Sequence, residues 1–85
     1  MITYEKGKIK EECWFKGNEL HRGNDLPSDI FYYKNGKVEQ EIWHKYGSRH
    51  RGNNKPAEIC YNKNGKIISK QWWKNGNFIK EEKKH

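Results

Sequence analysis

The chain has 85 residues, of which 32% are hydrophobic and 34% charged, so it can form one small domain with a thin core. Lys and Arg total 18 against 11 for Asp and Glu, which gives a formal net charge of +7 at pH 7. This composition excludes a membrane-spanning helix, a collagen, a coiled coil and a large enclosed active site. Aromatic residues make up 14% of the chain. Because disordered segments are poor in aromatic residues, this content predicts a folded domain.

Runs of β-branched and aromatic residues alternate with glycine turns along the chain. The turns at Lys6-Gly7, Asn35-Gly36, Asn64-Gly65 and Asn75-Gly76 predict four hairpins of type I′, in which both central residues have positive φ. The helix formers within 8–15 are outweighed by the flanking glycines. The segment after Phe78 is compatible with strand, helix or frayed chain. The predicted strands lie near 2–5, 8–15, 28–34, 37–44, 57–63, 66–73 and 77–81.

Internal repetition with a period of 29 residues is the strongest signal in the sequence. Trp14, Trp43 and Trp72 are spaced by this period, and so are the two His-Arg-Gly-Asn segments that begin at His21 and His50. The period divides a single domain, 1–85, into about 2.5 units, near 7–35, 36–64 and 65–85. We therefore predict an all-β fold, an antiparallel meander of repeated β-hairpins that forms a single twisted sheet.

Alternation about the turns predicts two different faces of the sheet. The predicted opposite pairs are Tyr33 with Val38, Ile30 with Glu41, and Ser28 with Trp43. One face recurs with the period and is the predicted core: Ile30, Tyr32, Trp43, Ala57, Ile59, Tyr61, Ile68 and Trp72. The other face does not recur, so a partner would be recognised there. Its predicted contact patch is Phe31, Tyr33, Trp73 and Phe78.

A family resemblance lies in one unit of the repeat: Trp43, Gly47, His50, Arg51, Pro56, Ala57, Tyr61, Asn64, Gly65 and Lys66. The unit resembles MORN-type repeats, in the variant bacterial and viral form that alternates W-x-x-G-x-x-H-R-x-x-x-x-P-A with Y-x-x-N-G-K. It departs from the standard MORN unit by carrying His-Arg-Gly-Asn in place of Gly-x-Gly. The first copy is also expected to hold an extra residue between Gly17 and His21. The resemblance implies an elongated single-layer sheet, protein–protein contacts or, less often, contacts with membranes or lipids, and no common catalytic residue.

The two His-Arg loops allow two interpretations. Arg22 and Arg51, with nearby backbone N–H groups, are suited to bind phosphate. Alternatively, each arginine stacks on the tryptophan of its unit while His21 and His50 bond to the loop backbone. A repeated motif is more often scaffold than site, so the second interpretation is favoured.

Catalysis, metal binding and cofactors are not predicted. His21, His44 and His50 have no second ligand at a recognised spacing, and Cys13 and Cys60 do not occupy equivalent positions in the repeat. With two cysteines and no apolar run of signal-peptide length, the chain is expected to be intracellular and cytoplasmic, with reduced thiols.

The predicted function is that of a non-enzymatic protein-binding module. Its more specific form is a small inhibitor or antitoxin of a phage or mobile element. The contacts would come from the contact patch and the His-Arg loops, and exposed edge strands would also allow pairing with a second copy. The alternative is an RNA-binding or single-stranded nucleic-acid-binding protein that uses the charge of +7 and its interleaved aromatic residues.

Overall fold

The computed structural model describes residues 1–84, and these form an all-β protein without a helix. Seven strands make one antiparallel meander, and two further pairs, β3–β4 and β7–β8, form short separate hairpins. The predicted meander of hairpins is confirmed, although these two hairpins lie outside the main sheet. The strands are β1 Ile2–Glu5, β2 Lys8–Cys13, β3 Phe15–Lys16, β4 Glu19–Leu20, β5 Asp29–Tyr32, β6 Val38–Ile42, β7 His44–Lys45, β8 Ser48–Arg49, β9 Glu58–Tyr61, β10 Ile67–Lys74 and β11 Asn77–Lys83.

The main sheet has the order β1-β2-β5-β6-β9-β10-β11, so β1 and β11 are its edges. The whole molecule measures 38 × 35 × 18 Å and is therefore flat. The segment after Phe78 is strand as far as Lys83, and His85 lies outside the described residues. Residues 1–84 contain no helix long and apolar enough to cross a bilayer.

The two short hairpins are the part of the fold that the sequence-based assignment missed. Strand β2 ends at Cys13 and β6 at Ile42, because the chain then folds back on itself within six residues. In the second hairpin both turn residues, Tyr46 and Gly47, have positive φ, as type I′ requires. In the first hairpin Gly17 has positive φ and Asn18 does not, which is the pattern of type II′.

The loop lengths correct one expectation about the first unit. Trp14 and His21 are separated by the same number of residues as Trp43 and His50. In each pair the histidine N–H donates to the tryptophan carbonyl, at 3.0 Å and 3.1 Å. No residue is inserted before His21. The turn glycine lies one position earlier in the first unit, and the turn type changes with it.

Type I′ turns occur at two of the four predicted hairpins. Lys6-Gly7 and Asn75-Gly76 have positive φ at both positions, whereas at Asn35-Gly36 and Asn64-Gly65 only the glycine does. The latter turns are three-residue loops, in which a tight turn is followed by a left-handed glycine.

The Asn35 side chain stabilises this wider loop. Its Oδ1 atom accepts from the Lys37 N–H at 2.8 Å, while the Tyr33 N–H donates to the Lys37 carbonyl. The extra loop residue shifts the register, so Tyr32 rather than Tyr33 pairs with Val38. The predicted pair of Ile30 with Glu41 is confirmed, because it lies before the shift.

The buried core is centred on Trp43, Ala57 and Ile59, and Tyr61, Ile67 and Trp73 pack against it. Ile68, a predicted core residue, is instead 41% exposed. A bulge between Ile67 and Ser69 turns Ile67 toward the core in its place. The opposite face also contains buried residues, among them Cys13, Asp29, Ile42 and Glu58.

Candidate functional site

Three hairpin turns lie side by side at one end of the main sheet. They join β1 to β2, β5 to β6 and β9 to β10, which are successive hairpins of the meander. Each turn carries one lysine on either side of its glycine. These six side chains are named the lysine row: Lys6, Lys8, Lys34, Lys37, Lys63 and Lys66.

Hydrogen bonds hold the three turns together. The Nζ of Lys8 donates to the carbonyl of Lys34 at 3.1 Å. The side-chain amide of Asn35 donates to the carbonyl of Lys63 at 3.0 Å. Neighbouring turns are two strands apart, which corresponds to about 10 Å, so the row extends over roughly 20 Å.

The lysine row carries charge that the fold does not neutralise. All six lysines are exposed, and none forms an ion pair with a residue in 1–84. Sequence reasoning missed this cluster because the lysines are scattered singly along the chain. The signal was present in the repeat, since Lys8, Lys37 and Lys66 follow three turn glycines at the 29-residue spacing.

A cleft of about 330 Å³ opens beside the lysine row. The Tyr32 hydroxyl donates to Glu12 Oε1 at 2.8 Å, and the Tyr33 hydroxyl donates to the Tyr61 carbonyl at 2.7 Å. Burial, and then the bond to Glu12, raise the pKa of Tyr32 to about 12. These bonds hold both rings in fixed positions. The cleft is lined by Glu5, Lys6, Lys8, Ile9, Lys10, Tyr32, Tyr33, Lys34 and Glu39.

The His-Arg loops lie at the opposite end of the sheet and are engaged in contacts within the fold. The Arg22 guanidinium lies 3.6 Å from the centre of the Trp14 ring, and Arg51 lies 3.8 Å from that of Trp43. His21 Nδ1 accepts from the Tyr46 N–H, and His50 Nδ1 accepts from the Asn75 N–H. Both arginines also donate to a proline carbonyl of their own loop. The arginine stacks match the structural interpretation of the loops, whereas each histidine bonds to the backbone of the following hairpin and not to that of its own loop.

Asp25 links the two loops. Its carboxylate accepts from Arg51 Nε at 2.9 Å, from Arg51 Nη2 at 3.2 Å and from Lys55 Nζ at 2.9 Å. Hydrogen bonds from Arg51, and then from Lys55, hold the pKa of Asp25 well below its usual range. Arg51 is therefore less available to a phosphate than the lysine row is.

The predicted contact patch is divided between two places. Trp73 and Phe78 are in contact, with ring centres 5.4 Å apart, and Phe78 is 54% exposed. Phe31 lies three strands away in β5, a separation of about 14 Å from strand spacing alone. Tyr33, which follows β5, lines the cleft beside the lysine row instead.

One group of side chains in the described part of the chain could hold a metal ion. Glu11, Cys13 and Asp29 place their ligand atoms within 4.8 Å of one another. Cys13 is six residues from the turn at Gly7, so the group is roughly 20 Å from the lysine row.

The chain matches no family model, no curated protein and no solved structure. The likeness to MORN-type repeats therefore depends on the sequence motifs, and the function has to be inferred from the geometry.

Proposed function

We propose that this protein is a non-enzymatic binding module that holds single-stranded nucleic acid along the lysine row. The observation that carries the proposal is a line of six exposed lysines at one end of the sheet, none of which forms an ion pair with another residue in 1–84. Cationic side chains that neutralise phosphates supply most of the affinity in sequence-independent nucleic-acid binding.

The arrangement of the charge favours a linear polyanion. Neighbouring turns are about 10 Å apart, which is close to the Debye length at physiological salt, so their charges repel one another. A partner with regularly spaced negative charges relieves this repulsion along the whole row. An acidic patch on a globular protein would meet only part of a line roughly 20 Å long.

The cleft favours a single strand over a duplex. Tyr32 and Tyr33 line it, and their hydroxyl bonds fix the rings beside Lys8 and Lys34. An unpaired base can enter such a cleft and stack on an aromatic ring, which contributes about 1–3 kcal/mol per base. In a duplex the base faces are already stacked and cannot reach these rings.

Fluorescence anisotropy with a labelled single-stranded RNA and a DNA duplex, at about 50 and then 200 mM salt, tests this proposal. We expect tighter binding of the single strand. If all six lysines neutralise phosphates, log K should fall with log salt concentration with a slope of about −4.

A charge-matched pair of variants locates the interface. Lys34→Gln with Lys37→Gln should make the slope shallower by about 1.4, because two phosphate contacts are lost. Lys45→Gln with Lys74→Gln removes the same charge from exposed positions at the other end of the sheet and should leave the slope unchanged. Equal effects of the two pairs would remove the lysine row from the proposal.

A protein partner is the second candidate, and an exposed apolar pair favours it. Phe78 and Ile79 are 54% and 57% exposed on the edge strand β11, and Phe78 contacts Trp73. Apolar side chains on a sheet edge are suited to a protein surface. An inhibitor or antitoxin role would use this surface. If the folded protein binds neither the RNA nor the duplex, affinity capture with the wild type and with Phe78→Ser/Ile79→Ser should recover a partner with the wild type alone.

A further inference from the structure

A cluster of two acids and a thiol, of which Cys13 and Asp29 are buried and Glu11 is half-buried, lies between β2 and β5, away from the lysine row. Glu11 and Cys13 project from the same face of β2, since side chains alternate along a strand. Asp29 is directly opposite Cys13 on β5. The ligand atoms of the three residues lie within 4.8 Å of one another.

Asp29 lacks the partners that a buried carboxyl group needs. It is 7% exposed, and its Oδ1 atom has no hydrogen-bond partner among residues 1–84. Arg49 is close enough to act on Asp29, but it pairs with Glu58 at 3.2 Å, so Asp29 has no ion pair of its own among residues 1–84. A buried carboxylate in this state is unfavourable.

The equivalent acid in the next unit has its partners within the chain. Glu58 lies 29 residues after Asp29 and is likewise 7% exposed. It accepts from Gln40 Nε2 at 2.9 Å and pairs with Arg49 Nη1 at 3.2 Å. Here the fold supplies both a hydrogen-bond donor and a cation to the buried acid.

The first unit replaces both of these partners. The position of Arg49 is taken by Leu20, and the position of Gln40 is taken by Glu11. Cys13 stands where the second unit has Ile42. Compared with the second unit, the first unit thus has an apolar residue in place of the cation, an acid in place of the donor, and a thiol beside them.

We propose that Glu11, Cys13 and Asp29 form a binding site for a thiophilic divalent cation of the Zn²⁺ class. One thiolate and two carboxylates are ligands that Zn²⁺ accepts, whereas Mg²⁺ and Ca²⁺ prefer oxygen ligands alone. With bonds of about 2.0–2.3 Å, a tetrahedral site needs its ligand atoms roughly 3.5 Å apart, which small side-chain rotations would achieve. Binding would release the thiol proton, and any proton shared by the carboxyl groups, to solvent.

Titration of the reduced wild-type protein with Co²⁺, followed by competition with Zn²⁺, tests the site. Cobalt should bind with a stoichiometry of one and produce a thiolate-to-cobalt charge-transfer band, which Zn²⁺ should abolish. Zn²⁺ should also protect Cys13 from alkylation much more than it protects Cys60, measured by mass spectrometry of the wild type. Absence of the band, or equal protection of the two thiols, would overturn the proposal even if no variant can be prepared.

Variants identify the ligands. Cys13→Ser and Asp29→Asn should each weaken cobalt binding at least about tenfold. Cys60→Ser is the matched control, because it removes the other free thiol, and it should bind cobalt like the wild type. Loss of the band in Cys60→Ser but not in Cys13→Ser would also overturn the proposal. Lys34→Gln/Lys37→Gln should leave cobalt binding unchanged, so this result is independent of the proposed function.

Discussion

A tryptophan and a cation eight residues further along the chain stack on each other in every unit. Arg22 lies over Trp14, Arg51 over Trp43, and Lys80 lies 4.4 Å from the centre of the Trp72 ring. Such contacts contribute about 0.5–1 kcal/mol when exposed and about 2 kcal/mol when desolvated. The stacks fix the loops against the end of the sheet. The spacing shared by the three pairs therefore indicates a structural role for these cations.

The two arginines should differ in their contribution to stability. Arg51→Ala should lower the free energy of unfolding by about 2 kcal/mol, because it removes the stack and the bonds to Asp25 and the Pro56 carbonyl. Arg22→Ala should cost about 1 kcal/mol, since Arg22 has no carboxylate partner among residues 1–84. Urea denaturation measures the free energy of unfolding of both variants. A larger decrease for Arg22→Ala than for Arg51→Ala would contradict the prediction.

Asp25 should make stability depend on pH. Its pKa is depressed in the folded state, so its contribution is present above the ordinary carboxyl pKa of about 4 and is lost as the pH falls further. After allowance for solvent screening, Asp25→Asn should cost about 1 kcal/mol at pH 7. Urea unfolding of both proteins from pH 7 to about pH 2 should show this difference shrinking below pH 4. A difference that stays constant over this range would show that the ion pairs are not its source.

Hairpins are the elements that the sequence predicts well, and their loop geometry is what it predicts poorly. All four glycine turns form, because positive φ is needed at each and glycine supplies it. Asn35-Gly36 nevertheless adopts a three-residue loop, because the Asn35 side chain bonds to the Lys37 N–H and to the neighbouring turn. The bond to Lys37 is local, but the bond to the Lys63 carbonyl comes from the neighbouring hairpin and is not visible in a local pattern. The β3–β4 and β7–β8 hairpins escaped notice because their strands have two residues each and no Asn-Gly marks them.

The loops between units suggest a stabilising substitution. Asn54 occupies the place of Asp25 one unit later, and the carbonyl of each accepts from a tryptophan Nε1, that of Trp72 and that of Trp43. Lys80 occupies the place of Arg51. Asn54→Asp should therefore pair with Lys80 and raise the free energy of unfolding by about 0.5 kcal/mol at low salt.

The backbone at this position already accepts an aspartate. Asp25 has φ 58° and Asn54 has φ 57°, so the substitution adds no strain. Asn53→Asp adds the same charge next to it and is the control. Thermal unfolding of both variants at about 50 mM and 500 mM salt distinguishes pairing with Lys80 from a general charge effect. An increase in stability that comes from the ion pair should become smaller at high salt, because salt screens the pair. An equal gain in both variants would indicate a general effect of reduced net charge.

Positively charged side chains have different surroundings at the two ends of the molecule. At the end with the loops, Arg22, Arg51 and Lys80 stack on tryptophans, and Asp25 neutralises part of the charge. At the other end the lysine row has no such partners among residues 1–84. The net charge alone favoured an anionic partner but did not say where on the molecule the positive charge collects. That location follows from the meander, which brings alternate turns to the same end of the sheet.

The assumption that repeated positions are scaffold explains why the sequence analysis did not single out the lysine row. It assigned function to the non-repeating aromatic residues, yet Phe31 and Trp73 lie three strands apart. Lys37 and Lys66 repeat because every turn of this kind has the same form, and their repetition is what produces a line of charge. A repeated position on the surface can therefore serve a ligand that is itself repetitive.

Binding at the lysine row should stabilise the whole domain. A ligand that binds the folded state alone contributes about 2.7 kcal/mol at 100 times its Kd, and in a domain of this size each kcal/mol raises Tm by roughly 4–8 °C. Thermal unfolding with a single-stranded RNA should then show a rise of roughly 10–20 °C in the wild type and in Lys45→Gln/Lys74→Gln. Lys34→Gln/Lys37→Gln, at the same RNA concentration, should show a much smaller rise. Because each lysine pair removes the same charge, a rise that follows net charge alone would be equal in the two variants and would contradict a localised interface.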